Sequence, residues 1–263
     1  MIRLGILGDP VAESLSPAMH GRAFQHRGWV GEYRAHTTAT ENLSRELERL
    51  HPNYTGLNIT HPLKTAVIEY CPQISPLAQR LGAANTLVAV GPSWRAENTD
   101  GPGLLRVLGG PGALGGKDAL VLGAGGAARA TIWALDQAGC ARIQIRCRRK
   151  TAFEELHARQ LTETAALQHL GWHEGAGSVD LVINSTPLGR DTPLDLQAQT
   201  PRVLDLNYRP DGPTMLCQKS ETMGLITQDG RALLLEQGLL AQQLWFGDLP
   251  TGLRQAMAKS LMK

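Results

Sequence analysis

Two stretches, VLGAGGAARA at residues 121 to 130 and IQIRCRRK at 143 to 150, hold the first residues whose types and spacing could do chemistry. In the first, an apolar run ends at Leu122, Gly123, Ala124 and Gly125 make a tight turn, and a helix-compatible run opens with Gly126 and Ala127. The free N–H groups and positive dipole end of such a helix can hold a diphosphate. The pattern is G-x-G-x-x-A, with Ala128 where dinucleotide turns often carry a third glycine. The second stretch falls about 20 residues on, where an acidic side chain would bond the ribose 2′-hydroxyl of NAD. Here it ends in Cys147-Arg148-Arg149-Lys150, with no carboxylate before Glu154. Guanidinium groups grip a phosphate through paired, charge-assisted hydrogen bonds, so turn and cations together predict NADP, with Arg148 and Arg149 at its 2′-phosphate. Taken singly, each has a plain structural alternative, a glycine-rich turn and a solvated basic patch.

Four more pieces stand out: SLSP at 14 to 17, NITHPLK at 58 to 64, AANT at 83 to 86 and ENTDGPG at 97 to 103. Each ends a strand or begins a helix, at the edge where open α/β sheets bind ligands. Their structural readings are also simple. Ser14 and Ser16 can cap a helix beginning at Pro17, Asn85 can be a turn residue, Asp100 can cap a helix beginning at Gly101 or Pro102, and a lone Lys64 can be solvated. None of the eight histidines falls in a ligand spacing, and Cys71, Cys140, Cys147 and Cys217 form no CxxC pair. The pattern predicts neither a metal site nor a disulfide framework, and a reducing cytoplasm suits it.

The elements that must position these residues alternate along the chain. Strands are expected at 2 to 7, 32 to 36 and 56 to 59, helices at 17 to 27 and 41 to 50, and a hairpin at 86 to 90 and 96 to 99 around the turn GPSW. The run GGPGALGG at 109 to 116 reads as the best candidate boundary. Beyond it, strands are expected at 119 to 122, 142 to 147, 180 to 183, 203 to 206 and 225 to 227, and helices at 126 to 138 and 151 to 162. The region 163 to 178 is ambiguous between a short strand and a loop. Two apolar-striped segments, ALLLEQGLLAQQLWF and GLRQAMAKSLM, read as terminal helices.

With 263 residues, 42% of them hydrophobic, the chain can bury one large core or two smaller ones. Its net charge of +2 excludes a general polyanion binder, so functional positive charge must be local. No window has the apolar length of a membrane span, and MIRLGILGDP runs into a strand without a signal-peptide pattern. Neither nucleic acid nor membrane is expected as a partner.

Taken in order, these pieces resemble the shikimate dehydrogenase family. The resemblance rests on Ser14 to Pro17, Asn58 to Lys64, Ala84 to Thr86, Asn98 to Gly103, Gly123 to Ala128, Asn184 to Gly189, Asp205 to Pro210 and Gln237. It implies an α/β protein of two domains, an N-terminal substrate domain (1 to 100 plus 236 to 263) and a Rossmann-type doubly wound NADP domain (101 to 235). It also implies NADPH-dependent reduction of 3-dehydroshikimate to shikimate, in aromatic amino-acid biosynthesis, by a monomer or homodimer. Ser14 and Ser16 would bind the substrate carboxylate. Thr60, Asn85 and Gln237 would bond its ring hydroxyls, with Asn58 and Tyr208 lining the pocket. Lys64 and Asp100 correspond to the family's catalytic pair, and Thr186 and Gly230 to residues beside the nicotinamide. Hydride arriving at a ketone carbon leaves an alkoxide that must be protonated, and a lysine beside a carboxylate supplies both a proton and positive charge. Either of the two could donate first. One departure is local: many members follow the second cofactor strand with Asn-Arg-Thr, where this chain has Cys147-Arg148-Arg149. A quinate-directed enzyme of the same class and a non-catalytic NADP-binding regulator are the alternatives. The presence of both Lys64 and Asp100 speaks against the regulator.

Overall fold

The computed structural model describes residues 1–192, 194–196 and 198–262. The chain divides into two compact units, Met1–Thr99 with Leu234–Lys263, and Asp100–Leu233.

In the first unit, β1 (Ile2–Gly8), α1 (Ser16–Arg27), β2 (Gly31–Thr37), α2 (Leu43–Leu50) and β3 (Gly56–Ile59) are followed by β4 (Gln73–Ile74), α3 (Pro76–Leu81), β5 (Thr86–Val90) and β6 (Ser93–Glu97). The sheet order is β2-β1-β3-β5-β6-β4. β1 runs parallel to both β2 and β3, whereas β5 is antiparallel to β3 and β6. Alternation along the strands sends Leu7, Leu57 and Ile59 to one face, where Leu43, Leu47 and Leu50 of α2 cover them. Leu4, Ile6 and Tyr33 go to the other, against Phe24 of α1. Each fully buried leucine contributes about 1.5–3 kcal/mol relative to an exposed one. The sheet is thus covered on both faces, and its parallel part directs its ends at the loops that carry SLSP and NITHPLK.

The second unit begins with α4 (Asp100–Val107), then β7 (Asp118–Leu122), α5 (Gly126–Gln137), β8 (Arg142–Arg146), α6 (Lys150–Ala158), β9 (Ala166–Leu170), β10 (Gly177–Ser178) and β11 (Leu181–Asn184). β12 (Ala198–Gln199), β13 (Arg202–Asp205), α7 (Met215–Thr222) and β14 (Ile226–Gln228) complete it. Its main sheet is parallel throughout, in the order β14-β13-β11-β7-β8-β9. Counted from β7, leaving out the short β10 and β12 that pair with each other, this is the 3-2-1-4-5-6 order of the doubly wound dinucleotide fold. α8 (Arg231–Phe246) then leads back into the first unit from Leu234 on, and α9 (Leu253–Ala258) ends the helical structure.

Several sequence expectations are corrected. GGPGALGG is no boundary: it lies inside the second unit, where Gly112, Leu114 and Gly116 donate backbone N–H groups to Gln137, Ala138 and Gly139 at the end of α5. Ser16 does not cap α1, being its first helical residue after a Leu15 cap without a side-chain bond. Asp100 likewise belongs to α4 itself. The hairpin turn is only Gly91 and Pro92, because Ser93 and Trp94 already pair with Val90 and Ala89. The ambiguous region 163 to 178 holds β9 and β10, and the helix expected at 151 to 162 closes at Ala158. α3 and α7 give too short or too weak an apolar stripe to be anticipated.

Candidate functional site

Thr60 follows β3, and its N–H donates to Leu7 O at the end of β1 (2.9 Å), while Asp9 N–H donates to His61 O (2.9 Å). The segments after β1 and β3 are therefore laced together where two parallel strands end side by side. Ser14 and Ser16 stand in the first of them: Ser14 Oγ accepts the Ser16 N–H at 3.2 Å, and Ser16 is buried. Lys64, half-buried in the second, anchors its backbone by accepting Ala84 N–H at 2.8 Å.

Beside them lies a buried polar network. Asn85 Oδ1 accepts the Thr99 N–H at 2.7 Å, and Asn85 Nδ2 donates to Thr99 Oγ1 at 2.9 Å and to Gln237 Oε1 at 3.4 Å. Gln237 Nε2 donates one hydrogen to Leu234 O at 2.9 Å. Asn58 Nδ2 donates to Asn85 O and to Thr86 Oγ1, both at 3.2 Å, and Asn58 Oδ1 accepts from Tyr33 Oη at 2.7 Å. Thr86 and Thr99 hydroxyls lie 3.1 Å apart. Asn58, Asn85 and Gln237 are thus brought together. Thr86 and Thr99 belong with them although sequence reasoning gave them no role; their places inside AANT and ENTD were the available signal. Tyr33, inside a strand with no motif, offered none.

In the second unit, the crevice of a doubly wound sheet opens where neighbouring strands send their crossovers in opposite directions, here between β7 and β11. Gly123 follows β7 with φ +105°, a conformation L side chains rarely adopt, and a Cβ there would come within 2.9 Å of Ser185 Oγ and of Thr186 Cγ2. Ser185, just past β11, donates its N–H and hydroxyl to Leu122 O at 3.0 and 2.6 Å. A Cβ at Gly125 would meet nothing within 4 Å. The helix that follows, α5, has no side-chain cap and no acidic residue in its first turn. Gly126 and Ala127 open it, and Ala128 is fully buried beneath. Its first N–H groups, with Gly123, Ala124 and Gly125, form a cradle suited to a diphosphate.

At the next strand end, Arg148, Arg149 and Lys150 are exposed, and among the described residues no ion pair engages them. Cys147 points inward: it is buried, its Sγ donates to Arg149 O at 3.3 Å, and burial raises its thiol pKa. Burial likewise pushes Cys71 and Cys140 up to about 12, so these thiols stay protonated. The residues present fit a phosphorylated dinucleotide.

A second polar knot supports this crevice. Asp205, fully buried, accepts from Thr214 Oγ1 (2.7 Å), Asn184 Nδ2 (3.0 Å) and the Asn207 amide N–H and Nδ2 (3.1 and 2.8 Å). Burial raises its carboxyl pKa although these donors pull the other way. Asn184 Oδ1 accepts the Thr186 hydroxyl at 2.8 Å, and Asn207 Nδ2 donates to Thr186 O at 2.7 Å. Gly230 donates its N–H to Asn207 O at 2.8 Å, and a Cβ on it would collide with the Leu206 carbonyl. Tyr208 is half-buried and accepts Arg190 Nε–H at its carbonyl at 3.1 Å. Tyr208 belongs to the second unit, and so does Asp100, its first residue, buried at 7% exposure; Ser14, Ser16, Asn58, Thr60, Lys64, Asn85 and Gln237 belong to the first. Among the described residues no cluster of His, Cys, Asp and Glu could hold a metal, and no helix is long and apolar enough to cross a membrane.

Comparison with known proteins gives this geometry its context. The family model described as the shikimate dehydrogenase substrate binding domain matches residues 6–87. An NADP(+) shikimate dehydrogenase of Thermus thermophilus is 37% identical over 269 residues, covering 99% of each chain. The crystal structure of a shikimate 5-dehydrogenase from the same species, in complex with NADP(H) and shikimate, superimposes with a TM-score of 0.83 at 36% identity, over 99% of this chain and 100% of that one. A ligand-free 5-ketofructose reductase of a Gluconobacter species gives a TM-score of 0.79 at 27% identity, over 99% and 97%. With such identity sustained along both units, the chain belongs to the shikimate dehydrogenase family.

Proposed function

We propose that the protein catalyses the reversible reduction of 3-dehydroshikimate to shikimate with NADPH. The observation that carries this reading is the convergence on Asn85 of amides and a hydroxyl from three other segments, those of Asn58, Thr99 and Gln237, a donor and acceptor surface suited to a polyhydroxylated ring. The names of the relatives support the same substrate and cofactor.

Ser14 and Ser16 take the carboxylate. Ser14 Oγ already accepts the Ser16 N–H, so its own proton is available to donate, and the uncapped start of α1 adds a favourable dipole. Thr60, Asn85 and Gln237 take the ring hydroxyls. Gln237 keeps one Nε2 hydrogen for a ligand, because the other goes to Leu234 O and its oxygen is used by Asn85. Tyr208 and Asn58 bound the pocket. When bound, NADPH supplies the hydride. The ketone carbon that accepts it leaves negative charge on its oxygen, and Lys64 with Asp100 stabilises that charge and delivers the proton. Gly123 to Ala127 hold the diphosphate, Arg148 and Arg149 the 2′-phosphate, and Thr186 and Gly230 the nicotinamide end. A place in aromatic amino-acid biosynthesis follows from this activity.

Mixing the protein with NADP and shikimate is expected to raise the near-ultraviolet absorbance of reduced nicotinamide. Parallel reactions of quinate with NADP and of 5-ketofructose with NADPH decide among substrates of the same reaction class. Binding of NADP without any turnover of shikimate at neutral or alkaline pH would overturn the reading in favour of a regulator.

A further inference from the structure

Tyr33 lies on β2, at the edge of its sheet and away from every motif, yet its hydroxyl ends in the substrate network. Its ring shares a face with Leu4 and Ile6 of β1 and crosses that strand to reach Asn58 of β3. His20 of α1 stacks flat on it, with ring centroids 4.5 Å apart and planes within 7°. His20 is in turn bonded by Gln242 of α8 at 2.9 Å, and burial pushes its pKa down to about 3, so a neutral ring supports the phenol. The phenol is thereby held from behind by two helices.

The polarity of the Asn58 amide is forced. Asn85 O is a carbonyl and can only accept, so Nδ2 must face it; Oδ1 must then face Tyr33, and the phenol must donate. Thr86 Oγ1 accepts the second Nδ2 hydrogen and therefore sends its own proton onward to Asn85 Oδ1 or Thr99 Oγ1. At the far end the Thr99 N–H, which can only donate, fixes Asn85 Oδ1. Both amides between these two fixed ends thus have a single allowed orientation. Both Asn58 Nδ2 hydrogens are consumed internally, so Asn58 can meet a ligand only through the remaining lone pair of Oδ1.

We propose that Tyr33 is a positioning residue for the substrate site: its phenol proton satisfies Asn58 Oδ1 and holds the Asn58 amide, whose polarity the Asn85 carbonyl sets, against Asn85 O and Thr86 Oγ1, and so steadies the network that presents Gln237 to a polyhydroxylated ligand. The part of this concerning the substrate rests on the proposed shikimate dehydrogenase activity.

Tyr33→Phe keeps the ring and the stack on His20 and removes only the donor. The KM for shikimate is expected to rise about 5- to 10-fold, the equivalent of roughly one neutral hydrogen bond, with kcat within about twofold and the KM for NADP unchanged. Side-chain amide hydrogen exchange in the full chain without ligand gives a second reading. Asn58 and Asn85 NH2 groups should exchange about 10-fold faster in the variant. The Trp245 indole N–H, bonded to Leu87 O at 2.9 Å on the same face but outside the network, should be unmoved. An unchanged shikimate KM in an active variant overturns the proposal. So does uniform acceleration of all three groups, the mark of a merely structural role. If the wild-type protein does not turn over shikimate, the proposed function fails on its own, and the selectivity of exchange still decides whether Tyr33 locks the network.

Discussion

Lys64 is half-buried in the segment after β3, with its backbone tied to Ala84. Its proposed work is electrostatic and acid–base, so Lys64→Ala should lower turnover about 10²- to 10⁴-fold, the usual scale for a positioned acid or base. NADP affinity should barely change; steady-state kinetics with a separate NADP titration checks both, and near-normal turnover would remove Lys64 from the mechanism. Arg148 poses the complementary question. It is exposed at the end of β8, and Arg148→Ala should weaken NADP about 10- to 100-fold, as expected for lost bonds to a charged phosphate, with NAD nearly untouched. Equal losses for both cofactors would contradict the 2′-phosphate assignment. Where the chain departs from Asn-Arg-Thr, the thiol of Cys147 turns inward onto Arg149 O and so belongs to the turn that carries Arg148 and Arg149 rather than to the exposed cation cluster.

At the scale of elements, the second unit is held by carboxylates that bind backbone ends rather than by exposed ion pairs, which contribute little. Asp136, on α5, accepts N–H groups from Glu163, Thr164 and Ala165 at 3.0, 2.9 and 2.8 Å, and so fixes the approach to β9. Burial alone would raise its pKa; these backbone donors, with the Thr164 hydroxyl, outweigh it and hold the carboxyl below its ordinary value. The folded pKa being depressed, this stabilisation is present above the unfolded value of about 3.9 and fades as pH falls through the lower folded value. Asp136→Asn should therefore cost about 1–3 kcal/mol at neutral pH, with the difference from wild type shrinking as pH is lowered below about 3.9 toward 3. Urea unfolding at the two pH values measures this, and a difference that persists unchanged in acid would deny the carboxylate its role. Much of the element pattern was legible beforehand, because buried parallel strands bounded by Gly and Pro leave strong signals; β3 falls at 56 to 59 as expected. The misplacements have local causes. Trp94 reads as a turn residue in GPSW, yet its burial against Leu47, whose carbonyl it bonds at 3.1 Å, draws it into β6. Similarly, GGPGALGG has the composition of a linker but spends its N–H groups on the end of α5.

For the molecule as a whole, what the sequence determined by itself is the chemistry that short stretches carry. The G-x-G-x-x-A spacing from Gly123 to Ala128 already marks a turn fit for a diphosphate, and a run of cations just past the second strand of that unit needs no distant partner to suit a phosphate. The doubly wound order also follows from the strand and helix alternation, since right-handed crossovers leave few topologies. What only the tertiary structure decided is how polar side chains far apart in sequence consume one another's donors. Tyr33 and Asn58 are 25 positions apart and Asn85 and Gln237 are 152 apart, yet all four belong to one buried network. No local pattern encodes such a pairing, because its energy appears only when folding removes water from every member at once and leaves each donor a single acceptor to find.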